Sequence, residues 1–230
     1  MIKPRGRKNI PLTLMAFGRH LVYAEGTKTE PLYVEDLKLF VSEQLNVSKE
    51  DIEIVPVKTN KSQHTVELVK YAIKDVEKRL KNQETINYVW IFYDKDDYQD
   101  FDKAYKLIKK QNKVGSDIEW KACWSNECFE VWAYHYFENL ESQIDRKLYI
   151  EKINDFLKKN CCKEKYNKTR KDIHHFLTNN GGDIRLATKY MKAKDTDSDS
   201  KPNPSSGIYQ FAEYLLVYID NEKAKTKRMN

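Results

Sequence analysis

The sequence predicts an α/β protein with a mostly parallel sheet flanked by helices and a C-terminal helical layer or lobe. Three observations predict this fold. Short apolar runs alternate with helical periodicity through the first half of the 230 residues, in the order βαβαβαβ. The run at residues 88–93 is β-branched and aromatic throughout, as expected for a strand buried on both faces. From about residue 127 onwards the apolar spacing is predominantly helical.

The first predicted strand, residues 20–24, ends at Glu25-Gly26. A helix follows at 32–45, and Pro31 suits its first turn because the missing N–H would be unpaired there. Residues 51–57 alternate with period two, and Pro56 places that strand near an edge of the sheet.

The later elements follow from the same periodicity. We expect the segment 194–206 to form a mobile loop after a break at Gly181-Gly182. Further helices are predicted at 63–81, 100–113, 127–139, 147–160 and 168–179, a strand at 118–124, and a last helix carrying the apolar residues of 208–219. The predicted organisation is a basic N-terminal tail (1–18), an α/β core (19–140), a helical region completing the same domain (141–222) and a basic tail (223–230).

Charge and cysteine content limit the class of protein. The net charge is +6, and it is concentrated at the two ends of the chain, which suits attraction to a polyanion or simply keeps the protein soluble. The sequence contains no apolar run of about 18 residues, so we expect no membrane span. With no secretory signal and no CxxC pair among four cysteines, we expect a cytoplasmic protein with reduced thiols.

Acidic residues follow two of the predicted strands. Glu25 ends the first strand, and Asp94 and Asp96 end the strand at 88–93. Because parallel strands gather functional groups at their carboxyl ends, these acids are expected on one rim of the sheet. Oxygen ligands of this kind suit Mg²⁺ or Mn²⁺, and Glu25 would act as a general acid or base or as a further ligand. The alternative is that they are surface acids that merely close the strands.

Longer blocks of sequence resemble a known family. The blocks are EGTKTEPLY (25–33), FYDKDD (92–97), SNECFEVWAYHYF (125–137), NPSS (203–206) and, more faintly, YNK (166–168). The strand ending in Glu-Gly and the later Asp-x-Asp resemble the Toprim arrangement of topoisomerases, primases and related nucleases. The set of blocks, in this order, resembles the RloB family of Toprim-like proteins found beside restriction and abortive-infection loci.

The resemblance implies a Toprim-like core, a divalent metal, a nucleic-acid substrate and a role in anti-phage defence. Glu25 matches the Toprim glutamate, and Asp94 and Asp96 match the aspartate pair. Glu30 falls where some Toprim nucleases have a further acid, and is a candidate ligand of a second metal. Glu127 departs from the family pattern, which usually has proline there, and this puts the local turn in doubt.

Other residues of these blocks are candidates for supporting roles. Gly26 would let the backbone turn sharply and let a substrate approach. Ser125 or its neighbour Asn126 could cap the following helix. Glu130 and His135 either reach the metal cleft or satisfy polar groups beneath the sheet. The remaining supporting candidate is Asp97.

Three basic residues are candidates for phosphate contacts. Lys28 lies in the turn after Glu25, whereas Lys168 and Arg170 belong to a basic cluster that could equally be a solvated helix face. Two metal-like patterns are given little weight: the pairs Cys161-Cys162 and His174-His175 for zinc, and the acidic run 195–199 for calcium, which lacks a loop glycine and a final glutamate.

Two classes of function therefore remain open from the sequence. The first is a Mg²⁺- or Mn²⁺-dependent nuclease that cleaves DNA or RNA, with the role in abortive infection that the resemblance implies. The second is a non-catalytic sensor subunit that holds nucleic acid or a nucleotide in the same cleft. RloB-like genes often lie beside an ATPase gene, so an ATPase partner is expected, and a homo-oligomer would be unsurprising.

Overall fold

The described part of the chain forms a five-stranded sheet with helices on both faces. A computed structural model describes residues 17–45, 49–57, 65–95, 100–112, 115–196 and 201–229. The strands are β1 (His20–Ala24), β2 (Ile52–Ile54), β3 (Tyr88–Asp94), β4 (Glu119–Asn126) and β5 (Ser205–Ser206). The helices are α1 (Thr29–Gln44), α2 (Thr65–Lys81), α3 (Phe101–Lys109), α4 (Glu130–Tyr134), α5 (Leu148–Lys159), α6 (Ile173–Asn179), α7 (Ile184–Lys194) and α8 (Tyr209–Met229), with a short 3-10 turn at Lys49–Asp51.

The sheet order is β2-β1-β3-β4-β5, with the first four strands parallel and β5 antiparallel to β4. The predicted mostly parallel α/β fold is thus confirmed. β3 is central and buried along nearly its whole length, as its uniform apolar character predicted, and β2 lies at the edge.

Side chains alternate between the two faces of the sheet and feed two cores. Val22 and Trp90 point to the core formed with α1 and the C-terminal helices. Leu21 and Val89 point to the core formed with α2 and α3. The helix after β1 and the helix after β2 therefore lie on opposite faces, which makes the space between the carboxyl ends of β1 and β3 the topological switch point.

Three features of the second half differ from the sequence prediction. Helix α7 was not predicted as a separate element, because its outward positions are so polar. The expected mobile loop at 194–206 instead ends in a buried segment that contains β5, while residues 197–200 of that prediction lie outside the described residues. The expected helix at 127–139 is reduced to the short α4.

Lys201 explains why the segment is buried. Its side chain is fully enclosed, and its Nζ donates to Asp195 Oδ1 at 2.9 Å and to the Thr196 carbonyl at 2.7 Å. The ammonium also lies over the rings of Tyr105 and Trp124, at 4.3 and 4.6 Å from their centroids. These contacts of the Lys201 ammonium help to hold a polar stretch of the chain inside the fold.

The chain ends, the cysteines and the helices bear on the remaining predictions. Residues 1–16 of the predicted basic tail lie outside the described residues, and α8 continues through Met229 over most of the second predicted tail. The four cysteines are unpaired. In the described ranges no helix is both long and apolar enough to cross a membrane.

Candidate functional site

The candidate site lies at the switch point, where β1 and β3 end side by side. The Glu25 N–H donates to the Phe92 carbonyl at 3.0 Å, which continues the ladder one residue beyond β1. The Asp94 N–H then donates to Glu25 Oε2 at 3.3 Å. The structure therefore brings the two predicted strand-end acids together, because β1 and β3 are parallel neighbours in register.

The other carboxylate oxygen of Glu25 is held by the start of helix α2. Thr65, the first residue of α2, is buried and donates its Oγ1 hydrogen to Glu25 Oε1 at 3.3 Å. The same helix end is held by Asp100, whose Oδ2 accepts the Val66 N–H at 3.2 Å. Both Glu25 oxygens are therefore engaged. Sequence reasoning missed Thr65 and Asp100, although a threonine opening a helix and an aspartate preceding one are recognisable signals.

Glu30 folds back over the turn that follows Glu25. Its carboxylate is buried, and a Cβ placed on Gly26 would lie 2.2 Å from Glu30 Oε2. Gly26 thus leaves room for the close approach of the Glu30 carboxylate to the turn. Lys28 is exposed in the same turn, as expected for a residue available to phosphate.

Asp94 is also tied to the segment after β4. Its Oδ2 accepts the Phe129 N–H at 3.3 Å, just before α4 begins. Ser125 is buried opposite Asp94 in the β3–β4 register, and its carbonyl accepts the Lys95 N–H at 2.8 Å. Ser125 therefore supports the rim of the site through its backbone.

Neither residue that was expected to cap the helix does so. The N-cap position of α4 is Phe129, with no side-chain cap. Asn126 instead donates its Nδ2 hydrogens to the carbonyls of Lys201 and Pro202, at 2.9 and 3.0 Å. The Asn126 side chain therefore anchors the segment leading to β5 rather than α4.

Glu130 extends the acidic region behind Asp94. It is 1% exposed, and its two oxygens accept from the Tyr166 hydroxyl at 3.4 Å and from Lys168 Nζ at 2.9 Å. Burial lowers the pKa of Lys168, but the negative charges of Glu130 and, more weakly, Asp94 outweigh burial and raise it overall. Burial, followed by the charges of Glu130 and Asp94, raises the pKa of the Cys128 thiol, which therefore stays neutral.

Two candidate residues lie in other surroundings. His135 engages the backbone through both ring nitrogens: Nδ1 lies 2.6 Å from the Val131 carbonyl, and Nε2 accepts the Leu140 N–H at 3.3 Å. Burial lowers the His135 pKa to about 4, so the ring is neutral and structural. Arg170 donates to Glu164 and Asp172 and covers the Phe176 ring.

Three residues of the two discounted metal patterns have other partners. His174 Nδ1 lies 3.1 Å from the Tyr136 hydroxyl, and His175 Nδ1 lies 2.6 Å from Asp36 Oδ1. Asp195, from the acidic run, pairs with Lys201.

The donor set at the switch point fits a hard divalent cation. Glu25, Glu30 and Asp94 supply carboxylate oxygens only, which are the ligands that Mg²⁺ and Mn²⁺ prefer. Among the described residues, no three His, Cys, Asp or Glu side chains converge in a ligating arrangement. Asp96 and Asp97, which the sequence places on this rim, lie outside the described residues. The described residues therefore fit the ion by chemical type.

The fold and the site are those of an α/β protein with an acidic centre at its strand-end crevice. The model of the RloB-like protein family matches residues 20–215, so the chain belongs to this family. The match runs from β1 into α8 and spans every residue of the site described above. No curated protein and no solved structure matches the sequence.

Proposed function

We propose that this protein is a metal-dependent nuclease of the Toprim type that cleaves phosphodiester bonds in DNA or RNA. The observation that supports it best is the hydrogen bond from the Asp94 N–H to Glu25 Oε2, which holds the Glu25 carboxylate against the neighbouring strand end that carries Asp94. Crevices at the carboxyl ends of parallel strands, at a switch point, are where α/β proteins bind their ligands.

The proposed roles follow from the contacts. Asp94 and Asp96, with Glu30, would hold Mg²⁺ or Mn²⁺. Glu25 would serve as a further ligand or as the group that takes or gives a proton at a phosphodiester oxygen. The bound ion would supply Lewis-acid stabilisation of the phosphate and a more acidic water. Thr65 and the Asp94 N–H fix the Glu25 side chain, since it would lose one of these bonds on rotating.

The proposal also carries the biological setting that the family resemblance implies. It includes action in anti-phage defence by abortive infection, in the cytoplasm, with an ATPase partner encoded nearby. Membership of the RloB-like family supports this setting. Co-expression of such an ATPase gene, followed by phage plating with the intact protein and a Glu25→Gln variant, tests it. Equal plating efficiency with both proteins would count against a defence role for this site.

The test of the activity is cleavage by purified protein. Plasmid, single-stranded DNA and tRNA are each incubated with Mg²⁺, Mn²⁺ or EDTA, with and without the ATPase partner. We expect metal-dependent cleavage that Glu25→Gln and Asp94→Asn reduce by at least about 100-fold, in line with the loss of a group acting in the transition state. The matched control is Glu151→Gln on the exposed face of α5, which removes one carboxylate that takes part in none of the contacts described for the site.

The competing class is a binding or sensor subunit. It predicts tight nucleic-acid binding without metal and no cleavage under any of these conditions. Cleavage that survives Glu25→Gln would rule out the proposed active site, whatever the identity of the substrate.

A further inference from the structure

A short basic segment lies beside the acidic centre. We use the name basic loop for residues 161–172, which connect α5 to α6. Its sequence, CCKEKYNKTRKD, contains five basic and two acidic residues. Most of its side chains are exposed, with Tyr166 buried in the middle.

One arginine, Arg170, forms hydrogen bonds to both acids of the basic loop. Arg170 Nη1 donates to Glu164 Oε2 at 2.9 Å, and Nη2 donates to Asp172 Oδ2 at 2.9 Å. The guanidinium carbon lies 3.6 Å from the centroid of the Phe176 ring. Arg170 therefore braces the loop and engages both of its acids, so that neither acid pairs with a lysine of the loop.

The middle of the basic loop is anchored next to the acidic centre. The Tyr166 N–H donates to Asn154 Oδ1 at 2.8 Å, and its hydroxyl donates to the buried Glu130. Lys168 donates to the other Glu130 oxygen. Since Glu130 directly follows Phe129, whose N–H is bonded to Asp94, the anchor of the loop adjoins the site.

Three lysines of the basic loop remain exposed. Lys163, Lys165 and Lys171 lie on either side of the anchored Tyr166 and Lys168. In the part of the chain that the structure describes, no carboxylate oxygen lies within 4.0 Å of their amines. Three unneutralised ammonium groups on an anchored loop at the rim of a site form a surface complementary to a polyanion.

We propose that the basic loop is the docking surface for the phosphodiester backbone of the substrate strand, with Lys163, Lys165 and Lys171 contacting phosphates. This inference rests on the proposed nuclease function, which it deepens. Lys168 serves as the tether of the loop through Glu130, and Arg170 as its internal brace. Within the basic loop, the proposed phosphate contacts therefore shift from Lys168 and Arg170, which the sequence singled out together with Lys28, to the unpaired lysines beside them.

The experiment measures binding separately from cleavage. The full chain carrying Glu25→Gln, in EDTA, is titrated into labelled 30-nucleotide single-stranded RNA, single-stranded DNA and duplex DNA, and the dissociation constant is measured from about 50 to 300 mM salt. The test variant is Lys163→Ala/Lys165→Ala/Lys171→Ala. The matched control is Lys74→Ala/Lys78→Ala/Lys81→Ala, which removes three exposed lysines from α2.

Affinity falls as salt rises, and we expect the test variant to make the plot of log affinity against log salt less steep by about 2 on single strands. Each phosphate contact contributes roughly 0.7 to this steepness. Its affinity should fall at least about tenfold at ~150 mM salt, whereas the control should stay within about twofold of the parent protein. Because all three substitutions are on exposed side chains, an unchanged thermal midpoint verifies the fold.

Each result separates this proposal from the function on which it rests. Equal slopes for the test and control variants, or no binding by the parent protein, overturn the docking surface. If the slope is unchanged while the wild-type protein cleaves and Glu25→Gln does not, the nuclease stands and the docking surface falls. If the slope falls as expected and no cleavage occurs, the docking surface stands and the nuclease falls. Lysine-dependent binding to vesicles containing about one third phosphatidylserine, without oligonucleotide binding, also overturns the proposal.

Discussion

Lys168 and Glu130 form an ion pair in which one partner is solvated and the other is enclosed: the Nζ–Oε2 distance is 2.9 Å, and the side chains are 45% and 1% exposed. Removing the lysine would leave a buried carboxylate that keeps neutral donors such as the Tyr166 hydroxyl but has lost this counter-charge. A buried charge without its counter-charge is costly, whereas removing both charges is much less so.

We therefore expect Lys168→Met to lower the free energy of unfolding by about 1–3 kcal/mol, less than for a fully buried pair because Lys168 is half solvated. The double variant Lys168→Met/Glu130→Gln should recover part of the loss. Urea unfolding of the wild type, the two single variants and the double variant measures the coupling. A Lys168→Met variant as stable as the wild type would show that the pair adds nothing to stability.

Gly26 and Glu30 provide a prediction about the turn after β1. A methyl group at residue 26 would lie 2.2 Å from Glu30 Oε2, so Gly26→Ala must displace the Glu30 carboxylate. If Glu30 helps to hold the metal, we expect Gly26→Ala and Glu30→Ala to weaken Mn²⁺ binding by similar factors, about 5- to 30-fold for one lost charged contact.

The double variant sharpens this prediction. Because Gly26→Ala is expected to act by displacing Glu30, combining it with Glu30→Ala should weaken Mn²⁺ binding no further than Glu30→Ala alone. Isothermal titration calorimetry measures the three affinities. Additive losses would mean that the alanine disturbs the turn itself rather than the Glu30 carboxylate.

Buried histidines predict the response of stability to acid. Burial lowers the pKa of His20 to about 4, that of His135 to about 4 and that of His174 to about 3. Unfolded histidine binds a proton near pH 6.5, so between pH 6.5 and about 4 the unfolded state takes up protons that the folded state refuses. Stability therefore falls in this window, by on the order of 3 kcal/mol per histidine at its lower end.

A substitution of His135 measures the contribution of one histidine to the pH dependence of stability. Its two backbone partners require a neutral ring, and Gln can keep a donor and an acceptor without titrating. We expect the unfolding free energy of His135→Gln to depend less steeply on pH, by about one proton between pH 6.5 and 4.5. Urea titrations at half-unit pH intervals measure this slope. Identical slopes in the variant and the wild type would contradict a neutral buried His135.

The sequence could predict those parts of the site that depend on local pattern and strand order. The bounds of β1 and the central position of β3 follow from short apolar runs, and parallel pairing then requires that Glu25 and Asp94 meet at one rim. The helix after β1 was recognisable from its spacing and from Pro31 in its first turn.

Other parts depend on contacts between segments that are distant in sequence. The Thr65–Glu25 bond spans 40 residues, and no local signal assigns a helix-opening threonine to a particular acid. Lys201 shows the same limit for the fold, since its polar segment is indistinguishable from a surface loop until Asp195 and two aromatic rings enclose its charge. Contacts between distant segments place Thr65 and Lys201 inside the fold, whereas their polar character alone would place them at the surface.

The outer edge of β4 gives a final prediction, about association. Only the end of this strand is covered by β5, through pairs of Ser125 and Asn126. Ahead of them, the Asn112 side chain replaces a neighbouring strand: its Oδ1 accepts the Trp120 N–H at 2.8 Å, and its Nδ2 donates to the Trp120 carbonyl at 2.9 Å. A strand edge with unpaired backbone groups is a template for pairing with another chain.

We expect Asn112→Ala to destabilise the fold by about 1–2 kcal/mol, because two hydrogen bonds are lost, and to increase self-association relative to the wild type. Urea unfolding and sedimentation velocity measure the two effects, with Asn82→Ala in the exposed turn after α2 as the matched control. Equal stability and equal sedimentation of the two variants would show that water satisfies the Trp120 backbone as well as Asn112 does.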